Sequence, residues 1–324
     1  MSASGGRNEK LRWQWRSKRL QVTRRHVTLG IVLAGVSLAG VTVFLKVRDD
    51  RAFKSSALQL SRFPVDPAGA AVISIDLVTL RRAGLLSASK IDPEPEYKQF
   101  LQGTGFNYRR DLDQLLASFS NSGTFFLARG RFDLTKLREY VQRQGGTCYE
   151  QLCRMQGSKP ERRISFLPLR DDFIALAVSS DDLAATRLTK TGQALETPLP
   201  TSPVWLSVPG ATLRQPGLIP PGMKQMLSTL TSADRVVIDV GPTSGGIEAR
   251  LDASCRTKDD ASVLASQLRT AAGLIREGIA NKTLPPDDDL ARMLAAGTFD
   301  HTGSHVAGRW PVAKGLLDSL TAGL

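Results

Sequence analysis

Val27 to Leu45 (VTLGIVLAGVSLAGVTVFL) runs 19 residues without a charge, bounded by Arg25-His26 and Lys46. At ~1.5 Å per residue a helix of that length spans roughly 28 Å, close to the ~30 Å hydrocarbon core of a bilayer. A helix buried in a soluble core shows a polar stripe, and this segment has only Thr28, Ser37 and Thr42 to offer. No other stretch combines the length with the apolarity. The sequence therefore predicts one transmembrane helix at 27–45 and excludes a multi-span transporter.

The flanking charge sets the orientation. Residues 1–25 hold eight bases (Arg7, Lys10, Arg12, Arg16, Lys18, Arg19, Arg24 and Arg25) and one acid, Glu9. That arm contributes +7 of the chain's formal +12, leaving only +5 for the other 299 residues. The positive-inside rule places the arm, 1–26, in the cytoplasm and residues 46–324 outside the inner membrane, with the lipid bilayer as first partner. Trp13, Trp15, Arg24 and Arg25 suit the headgroup layer of an anionic leaflet. A nucleic-acid binder concentrates base on a folded face, so no nucleic-acid partner is expected. Cleavage is the alternative: Arg24-Arg25 resembles a twin-arginine signal and Ser37-Leu38-Ala39 a small-residue site. The apolar run continues to Leu45, which favours an uncleaved anchor. A lipoprotein signal fails because Val41, not Cys, follows Gly40.

Three cysteines occur: Cys148, Cys153 and Cys255. Outside the membrane Cys148 and Cys153 are free to oxidise, although so small a loop adds only ~2 kcal/mol by chain entropy. Three readings stay open for the pair: a structural clip, two buried thiols, or a redox pair lacking the CxxC spacing. Three cysteines and three distant histidines give no zinc spacing.

Beyond a juxtamembrane stalk at 46–69, strands and helices alternate and a repeat emerges. Val72-Ile-Ser-Ile75 leads into Asp76 to Arg81 and then Gly84-Leu85. Trp205-Leu-Ser-Val208 leads into Pro209 to Arg214 and then Gly217-Leu218, at a constant offset of 133. Period-2 runs predict hairpins at Leu115–Phe119 with Thr124–Arg129, at Ile164–Leu169 with Phe173–Val178, at Arg235–Val240 with Ile247–Cys255, and at Thr298–Phe299 with Ser304–Trp310. Helical spacing predicts helices at Leu134–Gln144, from Ser180 or Asp181, at Lys258–Ile279 after a Thr257 cap, after Asp287 or Asp288, and from Val312. The fold class expected is α+β: a transmembrane helix, then a duplicated strand–helix–hairpin–helix–hairpin–helix unit with antiparallel sheets. The copies span 70–190 and 204–324, joined by a Thr- and Pro-rich linker at 191–203.

No residue pattern converges on chemistry. There is no GxSxG elbow, phosphate loop or dinucleotide fingerprint, so neither a catalytic site nor a cofactor is expected. His301 and His305 flank Gly303, where a hairpin turn rather than a helix is predicted, which argues against metal binding. The paired aspartates lie mostly at helix starts and turns, where they cap. The run Asp92 to Asp113 has two readings: a partner-binding loop using Phe106, Tyr108, Arg109 and Arg110, or a helix–turn–helix corner whose aromatics fill the core.

Glu96-Tyr97-Lys98-Gln99-Phe100, Thr104-Gly105-Phe106-Asn107-Tyr108-Arg109-Arg110-Asp111-Leu112-Asp113 and Gly130 to Leu134 together resemble a group of uncharacterised, single-pass, membrane-anchored bacterial proteins over about residues 70–190. The resemblance implies no reaction. The functional expectation is an extracytoplasmic binding or envelope-structural module whose partner is another envelope protein or a small ligand. The alternatives are an envelope hydrolase with an unfamiliar site and an assembly factor or chaperone for an envelope complex.

Overall fold

The computed structural model describes residues 69–82, 95–157, 159–190, 200–215, 230–243, 246–285 and 288–312. The apolar span at 27–45, Trp13, Trp15, Arg24, Arg25, nearly all of the stalk and any helix beyond Val312 lie outside those residues. Among the described residues no helix is long and apolar enough to cross a membrane.

The β-branched run Ala71–Asp76 forms strand β1, and its Ile73, Ser74 and Ile75 are all buried. Burial of consecutive strand residues means that both faces are covered, the signature of a central strand. Asp76 then turns the chain by capping a short helix α1 (Leu77–Arg82), accepting from Thr79 N at 3.0 Å and from the Thr79 hydroxyl at 2.7 Å. After α2 (Pro95–Thr104) and the single turn α3 (Tyr108–Asp111) come β2 (Leu112–Ser120), β3 (Gly123–Gly130) and α4 (Leu134–Arg143). The hairpin β4 (Thr147–Tyr149) and β5 (Leu152–Gln156) precedes β6 (Arg163–Arg170), β7 (Phe173–Ser179) and a 3-10 helix (Ala184–Thr189). The chain continues with β8 (Val204–Pro209), α5 (Gly210–Leu213), β9 (Arg235–Thr243), β10 (Gly246–Ser254), α6 (Lys258–Ala280), α7 (Asp289–Ala295), β11 (Thr298–Thr302) and β12 (His305–Val312).

The twelve strands of the described residues join one antiparallel sheet in the order β11-β12-β10-β9-β8-β1-β2-β3-β7-β6-β5-β4. The seam lies where β1 meets β8, with Ile75 opposite Val204 and Val72 opposite Ser207. On one face, α6 buries Ala261, Leu264, Ala265, Leu268 and Ala272 against Val236, Leu251, Ala253, Phe299 and Val306. On the same face α1 adds Leu77 and Leu80 to Ile73, Ile75 and Val204. On the other face the 3-10 helix sets Ala184, Ala185 and Leu188 against Leu127, Leu167, Ala175 and Ala177. Farther along that second face, Glu248, Arg250 and Asp252 of β10 and His305, Ala307 and Arg309 of β12 are half-buried or exposed.

Several elements differ from the sequence reading. A helix was expected from Ser180 or Asp181. Instead the Asp181 carboxylate accepts from Leu183 N at 2.9 Å, and the chain tightens into the 3-10 helix, with Ala185 N donating to the buried Ser165 hydroxyl at 3.1 Å. The last strand runs two residues past Trp310 to Val312, because β10 offers Ile247 and Glu248 as partners for Val312 and Pro311. His301 belongs to β11 rather than to the turn, and Thr302 and His305 close the hairpin. On the predicted strands Ile75, Val208 and Ile247 are buried, and Phe126 and Leu176 half-buried.

Candidate functional site

The run for which the sequence offers a partner-binding loop or a packed corner folds against the chain itself over its described residues. Gly105 ends α2 with φ 70°, its N–H bonded to Leu101 O at 2.7 Å, a left-handed stop that suits glycine. Asn107 caps the next turn by accepting from Arg109 N at 3.0 Å. These two stops fold Phe106 inward, stacked on Phe132 at 5.3 Å and edge-on to Phe100 at 6.0 Å, while Phe100 meets Tyr140 at 5.4 Å. Tyr108 packs against the cluster of Leu77, Leu80 and Leu112, and its hydroxyl accepts from Arg109 Nε at 3.1 Å.

At the base of this corner Asp111 is buried to 7% exposure. Its carboxylate accepts from Asn107 N at 2.9 Å and from Arg110 Nε and Nη2 at 2.8 Å each, with Arg131 3.5 Å away. The hydrogen bonds from Arg110 hold the Asp111 carboxyl below the usual carboxylate range and raise the Arg110 guanidinium in turn. Arg81 reaches across from α1 to donate to Leu112 O at 2.6 Å, to Arg109 O at 3.1 Å and to the Asp113 carboxylate at 2.5 Å. Of the four residues singled out in the sequence, only Arg110 keeps most of its side chain in solvent. The corner is a packed and ion-paired joint.

A second polar cluster sits beside the seam, on residues the sequence analysis did not single out. Asp239 and Arg250 are ladder partners on β9 and β10. Asp239 Oδ1 accepts from Arg250 Nη2 at 2.7 Å, from Arg250 Nε at 3.0 Å and from the Ser202 hydroxyl at 2.5 Å. Arg250 Nη2 also donates to Ser202 Oγ at 2.9 Å. The cluster ties the entry to β8 onto the next hairpin. Opposite charges four residues before Thr243 and four after Gly246, the pair that closes the hairpin, are the signal that would have found it.

Among the described residues, His301 and His305 are not joined by hydrogen bonds to any serine–carboxylate pair. His305 Nδ1 lies 3.1 Å from Asp252 Oδ1, with both side chains mostly in solvent. Ser254 is the ladder partner of His305. Asp300 instead sits by Arg269 at 3.5 Å. Among the described residues, no three His, Cys, Asp or Glu side chains come together to hold a metal.

Cys148 and Cys153 are ladder partners in the β4–β5 hairpin, with sulfurs 2.06 Å apart, at bonding distance. Helix and strand signals on either side left this hairpin unread in the sequence. Its two-residue turn puts Glu150 at φ 50°, left-handed for a residue with a Cβ, at a cost of about 1 kcal/mol. Tyr149 beside it is 73% exposed. Cys255 is a free thiol buried among Leu264, Leu268 and Val306, and that burial pushes its pKa up.

No protein-family model and no curated protein matches the chain. Among solved structures, crystal form IV of TP0453 aligns with a TM-score of 0.41 at 9% identity, covering 83% of this chain and 99% of that one. Crystal form III gives 0.41 at 10% over 81% of this chain, and crystal form I gives 0.39 at 10% over 80%; each covers 99% of the TP0453 chain.

Proposed function

We propose that this chain is a single-pass protein of the inner membrane that holds a mixed α+β module outside the cytoplasm as a binding or envelope-structural element. The observation that carries the reading is the 19-residue uncharged span with a +7 arm on its amino-terminal side. The resemblance to membrane-anchored bacterial proteins points the same way. The module contributes a broad sheet whose β10 and β12 present Glu248, Asp252, His305 and Arg309 on one face, where complementary charges on a partner would steer and orient it. The partner we infer is another envelope protein.

We also propose that the module arose by doubling one unit. Arg81 and Arg214 stand 133 positions apart, and each guanidinium reaches carbonyls beside the start of the next strand. Arg81 uses Arg109 O and Leu112 O, and Arg214 uses Thr231 O at 3.2 Å and Ala233 O at 3.5 Å. Outward from the seam, β1-β2-β3-β7-β6 and β8-β9-β10-β12-β11 run in matching sequence order.

Protease added to intact spheroplasts tests the topology. Residues 46–324 are expected to be digested while a tag on the basic arm survives. Digestion of the arm with survival of the module would overturn the orientation, and full-length chain in a detergent-free soluble fraction would overturn the anchor.

A further inference from the structure

We infer that the Cys148–Cys153 bond is a redox latch on the outermost edge of the sheet, holding β4 and its strained turn in place only while oxidised. Among the described residues β4 is the last strand in the order and pairs on one side alone, over three residues. Thr147 and Tyr149 are exposed, so two of its three side chains bury nothing. Cys148 alone reaches the satellite cluster of Val141, Cys153, Phe166 and Ile174. Glu150 keeps its left-handed backbone only while its surroundings over-determine it, and the bond two residues away supplies that constraint. Once the bond opens, a three-residue edge strand with a strained turn has little left to order it.

Release stops at β5. That strand pairs with β6 from Cys153 to Gln156, and Cys153 is fully buried. The Gly146 N–H to Val141 O bond, 2.8 Å, marks the other hinge, leaving Thr147 to Gln151 as the mobile unit. Cys255 lies in a different core cluster, so the opened pair has no alternative partner within the chain.

The chemistry is dithiol exchange. A thiolate of an external dithiol attacks Sγ of Cys148, the half-buried residue on the edge strand, rather than that of the fully buried Cys153. The Cys148–Cys153 bond breaks, a mixed disulfide forms at Cys148, and Cys153 leaves as a thiolate that takes up a proton. The second thiolate of the dithiol then attacks its own sulfur in the mixed disulfide and frees Cys148, which is protonated. Two electrons and two protons pass to the pair, and the dithiol leaves as its disulfide. The latch stands on the hairpin geometry and does not depend on the membrane anchor.

Amide hydrogen exchange on the full chain in detergent, before and after reduction with dithiothreitol, tests it. Amides of Thr147 and Tyr149, which face β5, are expected to exchange at least about tenfold faster when reduced, with β2 and β3 unchanged and protection restored on reoxidation. Unchanged exchange at Thr147 and Tyr149 overturns the latch. So does an equal loss of protection across β2 and β3, which would make the bond a staple of the whole sheet. The Cys148→Ser/Cys153→Ser double variant should match the reduced protein, and exchange matching the oxidised protein would count against the proposal.

Discussion

Arg250 lies directly across the β9–β10 ladder from Asp239, and its guanidinium occupies the space that a Cβ on Gly241 would need. The same Cβ would stand 3.0 Å from Ser202 Oγ. Glycine at 241 is therefore what lets the ion pair close over the strand. Gly241→Ala is expected to cost about 1–2 kcal/mol by displacing a partly buried, hydrogen-bonded charge. In an Arg250→Ala background most of that cost should vanish, because the obstructing group is gone. Urea titrations of the four proteins in the cycle give the coupling, and strict additivity would mean that the contact is not what constrains Gly241.

Gly130 meets backbone instead. A Cβ there would run into the carbonyl oxygen of Asp111, which also accepts from Arg131 N at 2.7 Å. A carbonyl fixed in the corner cannot swing aside as an arginine tip can, so Gly130→Ala should cost about 3 kcal/mol, more than Gly241→Ala. Chemical denaturation of the two single variants ranks them.

Acid should loosen the same corner. Asp111 has its pKa lowered on folding, mainly by hydrogen bonds from Arg110. A depressed carboxyl contributes stability that is fully present above its unfolded pKa, about 3.9, and is lost as pH falls through the folded value. Asp133 and Asp181 shift the same way, led by the N–H groups of Lys136 and Leu183. Stability is expected to decline below roughly pH 5, and Asp111→Asn should flatten that acid limb while lowering stability at pH 7. An unchanged acid slope in the variant would remove Asp111 from the account.

Adjacent residues on α6 should respond oppositely to truncation. Leu264 is fully buried, and Val263 is 57% exposed. Leu264→Ala is expected to cost about 2–5 kcal/mol, whereas Val263→Ala should stay within about 0.5 kcal/mol of the parent. Thermal melts of the pair check which face of α6 meets the sheet.

What could be read ahead of the structure was local. The alternation of Ile247, Ala249, Leu251 and Ala253 marks one buried face of β10, and Thr257 capping Asp260 N at 3.1 Å starts α6 where expected. Period and caps depend on neighbours a few residues away, so the chain states them directly. The β4–β5 hairpin was not legible, because three residues are too few to show a period and the pairing is held through sulfur. The corner at Phe106 to Asp111 left two readings open, since the same aromatics and arginines serve a partner or the chain's own interior. Only the close approach of α1, α4 and β3 engages them internally.

Sequence alone determined the secondary-structure alphabet, the spacing of 133 between two Leu-Arg helices and the single apolar span, because each is a pattern along the chain. Tertiary structure decided that β1 pairs with β8 to make twelve strands one sheet, that Asp111 is sealed among arginines, and that Asp239 meets Ser202 from 37 residues away. Those outcomes depend on which distant backbone edges and charges come together in three dimensions, and a one-dimensional pattern carries no record of that.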